Sequence, residues 1–412
     1  MDRAIVVGLD LGNYDMKASL NELSNLAEAV NIKVIDQFTQ KAEMPNGRTY
    51  IGSGKVQEIK QAIAVLDIQI VIFDDVLSPA QIRHLEEELE VQIMDRSFLI
   101  LSIFAERAQT KESVLEVSLA QQRYMLPRLA GMSSSLSRQG GGSFNAKGAG
   151  ETKLELDRRK IEQNITRLEK ELVKIQNEKE TSRKRRSDND IPVVALVGYT
   201  NVGKSATLNT LLKMTTSEAQ KNVFEKNMLF ATLQTHTRRI KQPKRPAFIL
   251  SDTVGFVTRL PHELVRSFES TLSEVRHADL ILHIMDGSSS LKDMQEDTTK
   301  AVLKDLNADQ IPSLRVYTKK DLMLGDQLTN NADVVISNKT LEHVDLLIEK
   351  IYQKVYGKKT TVQFFIPFSE HGILSILEED TDILDKSYDE SGTTLKVSLY
   401  EKQIPALKAY LK

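Results

Sequence analysis

Apolar and polar positions over residues 4–110 alternate between short apolar runs and helical spacings. The runs 4–9, 32–38, 70–73 and 91–94 read as strands, and the segments 20–30, 55–66 and 79–89 between them repeat apolar residues at helical intervals. Strands alternating with helices predict a parallel α/β sheet. From about Lys111 the pattern lengthens: Leu115, Leu119, Gln122, Leu126 and Leu129 form one seam, and Leu154, Ile161, Ile165, Leu168, Leu172 and Ile175 form a second. Two helices with matching seams predict an antiparallel hairpin, joined by a glycine-rich loop over 131–150. A third region alternates again, with apolar strands at 193–197, 247–250, 280–286 and 314–317. The last fifty or so residues read as strands over 361–365 and 394–399 around a short helix at 371–379. The predicted division is 1–110 (α/β), 111–190 (helical hairpin, tip 131–150), 191–357 (α/β) and 358–412 (small α+β domain).

Composition narrows what these parts can do. The 55 basic and 57 acidic residues nearly cancel, so nucleic-acid contact must come from local patches rather than a global field. The absence of cysteine excludes disulfides, zinc-thiolate sites and cysteine nucleophiles, and the seven histidines form no ligand-spaced cluster. No window approaches the roughly eighteen apolar residues of a membrane span, and the amino terminus runs straight into a strand. The expectation is a soluble, cytoplasmic protein with no integral membrane association. Peripheral association stays open, DNA is not an expected partner, and a monomer is the default.

The chemistry gathers around Gly198-Tyr199-Thr200-Asn201-Val202-Gly203-Lys204-Ser205-Ala206, set between an apolar strand and a helical pattern through Leu208, Leu211 and Leu212. In G-x-x-x-x-G-K-S, glycines let backbone N–H groups wrap a phosphate, Lys204 reaches the β and γ phosphates, and the Ser205 hydroxyl ligates Mg²⁺. The 247–250 strand delivers Asp252-Thr253-Val254-Gly255. A carboxylate at a strand end followed by glycine suits a γ-phosphate sensor, with Asp252 holding Mg²⁺ through water and the Gly255 N–H facing the phosphate. The 314–317 strand ends in Thr318-Lys319-Lys320-Asp321, where Asp321 can accept two hydrogen bonds from the edge of guanine and Lys319 can lie across the base or ribose. With the buried 280–286 strand between the last two, four elements in order favour a GTPase over a generic ATPase. Upstream signals are weaker. Gly52-Ser53-Gly54-Lys55 and Phe73-Asp74-Asp75 are placed by the pattern at carboxyl ends of strands, where parallel sheets collect ligands, although paired aspartates often only cap the next helix. Arg138 and Lys147, with Arg158, Arg159 and Lys160, make the hairpin tip basic, and Arg183-Lys184-Arg185-Arg186 closes the second helix. Such a tip suits an RNA phosphate backbone, while a basic helix end also has a purely structural reading through the dipole.

The chain resembles the HflX family of the translation-factor class, related to the Obg group, over nearly its whole length. The text that carries this lies upstream of the nucleotide motifs: Phe73-Asp74-Asp75 with Leu77-Ser78-Pro79-Ala80-Gln81, Asp95-Arg96-Ser97, Ile103-Phe104-Ala105-Glu106-Arg107-Ala108, Leu119-Ala120-Gln121 and Leu126-Pro127-Arg128-Leu129. It continues in Ser137-Arg138-Gln139-Gly140-Gly141-Gly142 and Gly150-Glu151-Thr152-Lys153-Leu154-Glu155-Leu156-Asp157-Arg158-Arg159. The resemblance implies a P-loop GTPase domain preceded by an α/β domain with a helical hairpin, GTP and GDP as nucleotides, and binding to the large ribosomal subunit and its rRNA. It also implies dissociation of stalled or idle ribosomes. By position it makes Phe230-Ala231-Thr232 the first switch, with Thr232 the Mg²⁺-contacting threonine, although Gln234-Thr235-His236 replaces the family's Asp-Pro-Thr and leaves Thr235 and Thr237 as alternatives. Asn201 stands where potassium-stimulated relatives bind K⁺.

Two further departures bear on function. The family's guanine asparagine is Thr318 here, and its Ser-Ala loop appears as Ser337-Asn338-Lys339, which keeps a backbone contact to the base. Phe256 follows Gly255 where Ras-like enzymes place a catalytic glutamine, so unaided hydrolysis is expected to be slow. Rival readings are an ATP-driven rRNA-remodelling protein acting through residues 1–110, and a nucleotide-binding ribosome factor with little hydrolysis.

Overall fold

The computed structural model describes residues 2–139, 147–187, 191–215, 236–253, 255–257, 259, 275–323 and 331–412, with the side chains of 130–139, 147–154, 182–187 and 236 left aside. It divides into two compact units, Met1–Ser182 with Met228–Leu233 and Thr258–Ser270, and Arg183–Asn227 with Gln234–Val257 and Thr271–Lys412.

In the first unit, strands β1 (Asp2–Asp10), β2 (Ile32–Lys41), β3 (Ile70–Phe73) and β4 (Gln92–Asp95) pair in parallel in the order β2-β1-β3-β4. The central strands are buried on both faces, as Ile5, Val6, Val7, Val71, Ile72 and Phe73 show, which is why they read as unbroken apolar runs. Helices α1 (Met16–Glu28), α2 (Ser53–Leu66) and α3 (Pro79–Leu89) connect them. Pro79 at the start of α3 and a reciprocal Ser78–Gln81 capping box fix that helix's entry. A fourth helix, α4 (Arg96–Arg107), starts where Asp95 accepts from the Phe98 N–H at 2.8 Å.

The carboxyl edge of this sheet is a charge network. Arg96, 1% exposed, donates to Asp74 at 3.0 Å and Glu22 at 2.9 Å, and Ser19 Oγ donates to Asp74 at 2.8 Å. Arg259, which belongs to this unit, donates to the other Asp74 oxygen at 2.7 Å, pairs with Asp75, and lies 4.3 Å over the Tyr14 ring. Tyr50 also bonds Asp75. Burial alone would raise the Asp74 carboxyl, but the Arg96 and Arg259 guanidiniums overcome it and hold it below the usual range. The paired aspartates therefore do not cap α3, a task Ser78 performs. Gly52-Ser53-Gly54-Lys55 is corrected too: it lies well past the end of β2, with Gly52 as the N-cap of α2 and Lys55 paired with Glu58 at 2.7 Å, so it starts a helix instead of closing a strand.

Helices α5 (Lys111–Gln139) and α6 (Lys147–Ser187) form the hairpin around Leu115, Leu119, Leu168 and Leu172, with Ile165 and Ile175 against them. Lys179 pairs with Glu112 at 2.6 Å and Arg123 with Glu169 at 2.8 Å, an order of partners that makes the helices antiparallel. Both helices run further than the glycine spacing predicts, leaving 140–146 of the expected 131–150 loop outside the described residues. A single glycine costs a helix only about 1 kcal/mol, too little to end one already long. At the root, Arg128 donates to Asp95 and to the Leu77 carbonyl and lies 3.2 Å over Tyr124, which stacks on Phe98.

In the second unit, β5 (Val193–Gly198), β6 (His236–Ile240), β7 (Phe248–Asp252), β8 (Leu280–Asp286), β9 (Ser313–Thr318) and β10 (Val334–Val335) form one sheet in the order β10-β9-β8-β5-β7-β6, parallel except for the β6–β7 pair. Helices α7 (Lys204–Thr215), α8 (Lys292–Asp305) and α9 (Val344–Tyr356) accompany it. The chain ends in an antiparallel sheet ordered β11-β13-β12, from β11 (Lys359–Pro367), β12 (Asp382–Tyr388) and β13 (Gly392–Tyr400), with α10 (His371–Asp380) contributing Leu377 to its core. No helix among the described residues is long and apolar enough to cross a membrane.

Removing one partner of a buried ion pair strands the other, at about 3–5 kcal/mol. Arg96→Ala should therefore shift the urea midpoint of the first unit sharply downward in the full chain, followed by circular dichroism; an unchanged midpoint would mean the network carries no stability.

Candidate nucleotide site

Strand β5 runs into the loop 198–203 and then into α7, whose first residue is Lys204. Gly203 takes φ +95, a conformation L side chains rarely adopt, so glycine is required where the loop turns into the helix. The loop's carbonyls are bound from several directions. Lys204 Nζ donates to the Gly198 and Tyr199 carbonyls at 3.2 and 2.6 Å, the Thr318 hydroxyl to the Val202 carbonyl at 2.6 Å, and the Thr207 hydroxyl to the Gly203 carbonyl at 2.9 Å.

The Asp252–Gly255 segment lies directly against this loop. The Thr200 N–H donates to the Phe256 carbonyl at 2.7 Å and the Phe256 N–H to the Gly198 carbonyl at 3.2 Å, a parallel bridge between Tyr199 and Phe256. A Cβ on Gly255 would come within 2.8 Å of Thr200 Cγ2 and 2.9 Å of Lys204 Nζ, so only glycine fits there. Ser205 Oγ donates to Asp252 Oδ2 at 3.1 Å, and the buried Thr253 hydroxyl donates to the Leu196 carbonyl at 2.6 Å. Hydroxyl and carboxylate oxygens side by side are the hard donors Mg²⁺ takes, so these residues fit that ion. Lys204, 5% exposed, is pushed down to about 8 by burial, against the pull of Asp252.

The residues expected on the base side also converge. Lys319, in the left-handed region at φ 58, reaches Asp286 at 2.7 Å, and Ser337 Oγ donates to Asp321 at 2.7 Å. Thr318 is fully buried, and Asn338 donates to the Thr207 hydroxyl at 2.9 Å. Asn201, at φ 60, and Lys339 are exposed at the edges of their loops. The structure thus brings together Gly198, Tyr199, Thr200, Val202, Gly203, Lys204, Ser205, Asp252, Thr253, Gly255, Thr318, Lys319, Asp321, Ser337 and Asn338. Ala206 follows in the first turn of α7. Phe230, Ala231, Thr232 and Val254 lie outside the described residues, as does Thr235; Thr237 sits in β6, paired with Ser251. Sequence reasoning missed Thr207 and Asp286, whose polar side chains in a helix and at a strand end carry no motif of their own.

Residues 17–105 match the family described as GTP-binding GTPase N-terminal, 107–186 the GTP-binding GTPase middle region, and 193–319 the 50S ribosome-binding GTPase. The chain is 41% identical over 398 residues to the GTPase HflX of Caldanaerobacter subterraneus subsp. tengcongensis, covering 97% of this chain and 91% of that one. It is 32% identical over 425 residues to the GTPase HflX of Escherichia coli, covering 100% and 98%. The chain belongs to the HflX family of GTPases. As an HflX GTPase it binds GTP and GDP and hydrolyses GTP, through a domain of the ribosome-binding type.

The buried lysine gives this HflX site a pH signature. Between about 8 and 10.5 the unfolded chain holds a proton that native Lys204 has lost, so this group's contribution to stability rises with pH across that window. A phosphate beside Nζ favours the charged form. GDP affinity should therefore fall above about pH 8, by up to about tenfold per pH unit, with proton uptake on binding. Titration calorimetry in buffers of different ionisation enthalpy measures that uptake, and it should vanish in Lys204→Met; equal uptake in both proteins would assign the proton elsewhere.

Proposed function

We propose that the chain is a GTP-driven factor that engages the large ribosomal subunit and its rRNA through the helical hairpin and parts stalled or idle ribosomes. The observation that carries this is the backbone bridge of Thr200 and Phe256, with Gly255 packed on Lys204, because a γ phosphate entering the loop must act on that segment. Lys204, Asp252 and Gly255 are the catalytic group in this reading, Thr232 the switch threonine, and Lys319, Asp321 and the 337–339 loop the base site. Ser205 and Thr232, with Asp252, would hold Mg²⁺, which would supply neutralisation of phosphate charge.

The hairpin supports the rRNA half of the reading. Among the described residues, Arg158, Arg159 and Lys160 are exposed and pair along their own helix, with Glu162, Glu155 and Asp157. Surface pairs of this kind are worth about 0–1 kcal/mol, so their cations can exchange to phosphate at small cost. The reading as a nucleotide-binding factor with little hydrolysis of its own draws on Phe256: the side chain is 1% exposed and apolar, and cannot orient a water. Asn201 in the phosphate loop extends the proposal to K⁺ as an activating ion.

Turnover should be slow for the isolated protein and rise by orders of magnitude with large subunits, with Lys204→Ala inactive under both conditions. No stimulation, together with no GTP-dependent co-sedimentation with large subunits, would sink the ribosomal reading. Replacing K⁺ by Na⁺ should slow single-turnover hydrolysis; equal rates in the two salts would remove the K⁺ role.

A further inference from the structure

Thr318 stands where the family places its guanine asparagine, and its hydroxyl is committed. A hydroxyl has one proton, and Thr318 Oγ1 faces two carbonyl oxygens, Val202 at 2.6 Å and Met285 at 3.1 Å. N7 of a purine is an acceptor, so Thr318 has no proton to give it. It can still hold the phosphate loop from behind, through the Val202 carbonyl.

Across the same loop stands a second amide. A Cβ placed on Gly203 would lie 3.5 Å from Thr318 Oγ1 and 3.5 Å from Asn338 Nδ2, so the two side chains meet over one face of the loop. Asn338 Nδ2 spends one proton on the Thr207 hydroxyl at 2.9 Å, which itself donates to the Gly203 carbonyl. An amide has two donor protons and an acceptor oxygen. Asn338 Oδ1 is buried with no hydrogen-bond partner, so much of the amide's capacity is not met within the chain. The Oδ1 atom would need a donor from any ligand, whereas N7 of a purine is an acceptor, so the group left for the base is the second Nδ2 proton, the first being spent on Thr207. Its neighbour Ser337 bonds Asp321, which ties the loop carrying this amide to the carboxylate assigned to the guanine edge.

We infer that the guanine contacts are exchanged between two loops: the side-chain amide of Asn338 donates to N7 of the base, while Thr318 only braces the phosphate loop. Asn338 thereby becomes a specificity-determining residue through its side chain, beyond the backbone contact its position offers. The inference rests on assigning 318–321 and 337–339 to the base, and the test separates the two.

Equilibrium titration of the full chain with GDP and with 7-deaza-GDP, which lacks the N7 acceptor, reads the contact. Wild type should bind 7-deaza-GDP more weakly by about 2- to 12-fold, the worth of one neutral hydrogen bond. Asn338→Ala should bind GDP more weakly by a similar factor and no longer distinguish the two ligands. Thr318→Ala should keep the distinction. Equal binding of both ligands by wild type, a penalty that survives in Asn338→Ala, or its loss in Thr318→Ala would each overturn the inference. Asp321→Asn tests the underlying assignment, because it should turn preference from GDP to xanthosine diphosphate. A variant that still prefers GDP would overturn the base site itself.

Discussion

The nucleotide-binding unit depends on one constraint: the phosphate loop must present N–H groups inward, and it can do so only if its carbonyls are held outward. Peptide planarity sets C=O and N–H on opposite sides of each unit, so fixing one direction fixes the other. Here Lys204, Thr207 and Thr318 hold the carbonyls of Gly198, Tyr199, Gly203 and Val202. Phe256 closes the remaining side by bonding Thr200 and Gly198 through its backbone. The ends of β7 and β9 and the start of α7 thus meet at this loop, and the parallel order of β9, β8, β5 and β7 brings those ends to one edge. The sheet's role is to place these anchors; the loop's conformation follows from them.

The first unit applies the same logic with charge. Asp74 follows β3 and Asp95 ends the adjacent parallel β4, and both are fully buried, a condition that requires paired cations. Arg96 and Arg259 serve Asp74, and Arg128 serves Asp95. The outcomes differ. Two guanidiniums take Asp74 below the usual carboxylate range, whereas burial of Asp95 outweighs its amide donors and Arg128 and leaves it raised. Asp95 also caps α4 and receives Arg128 from α5, so one side chain starts a helix and fixes the root of the hairpin.

Fold and site were unequally legible in the sequence. Strands buried on both faces are apolar without interruption, and the phosphate loop needs residue types at fixed spacing, so β1, β3, β5, β8 and residues 198–205 could be read directly. The hairpin seams were also visible, because Leu115, Leu119, Leu168 and Leu172 repeat on one face. Helix α4 was hidden: Leu99, Ile100, Leu101, Ile103 and Phe104 are all buried, and a helix apolar most of the way round loses its period. Arg259, Thr207 and the reach of Asn338 to Gly203 were hidden for another reason. Arg259 and Asp74 stand 185 positions apart and Asn338 and Thr207 131 apart, and no local spacing encodes a contact of that kind.

Energetics of the site favour binding over unaided chemistry. Holding Lys204 buried, with its ordinary value of 10.5 lowered to about 8, costs the nucleotide-free protein about 3 kcal/mol at neutral pH. That cost is recovered when phosphate oxygens arrive beside Nζ, so it adds to the drive for nucleotide to enter and does so before any bond is broken. Interactions equal in ground and transition states do not speed the chemical step. Phe256 is apolar and buried, and Gly255 offers only its backbone. Among the described residues this segment brings no polar side chain to the attacking water, which is why the proposed function has GTP held until a group from outside the loop completes the site. Under that proposal the timing of hydrolysis belongs to the partner and not to the phosphate loop.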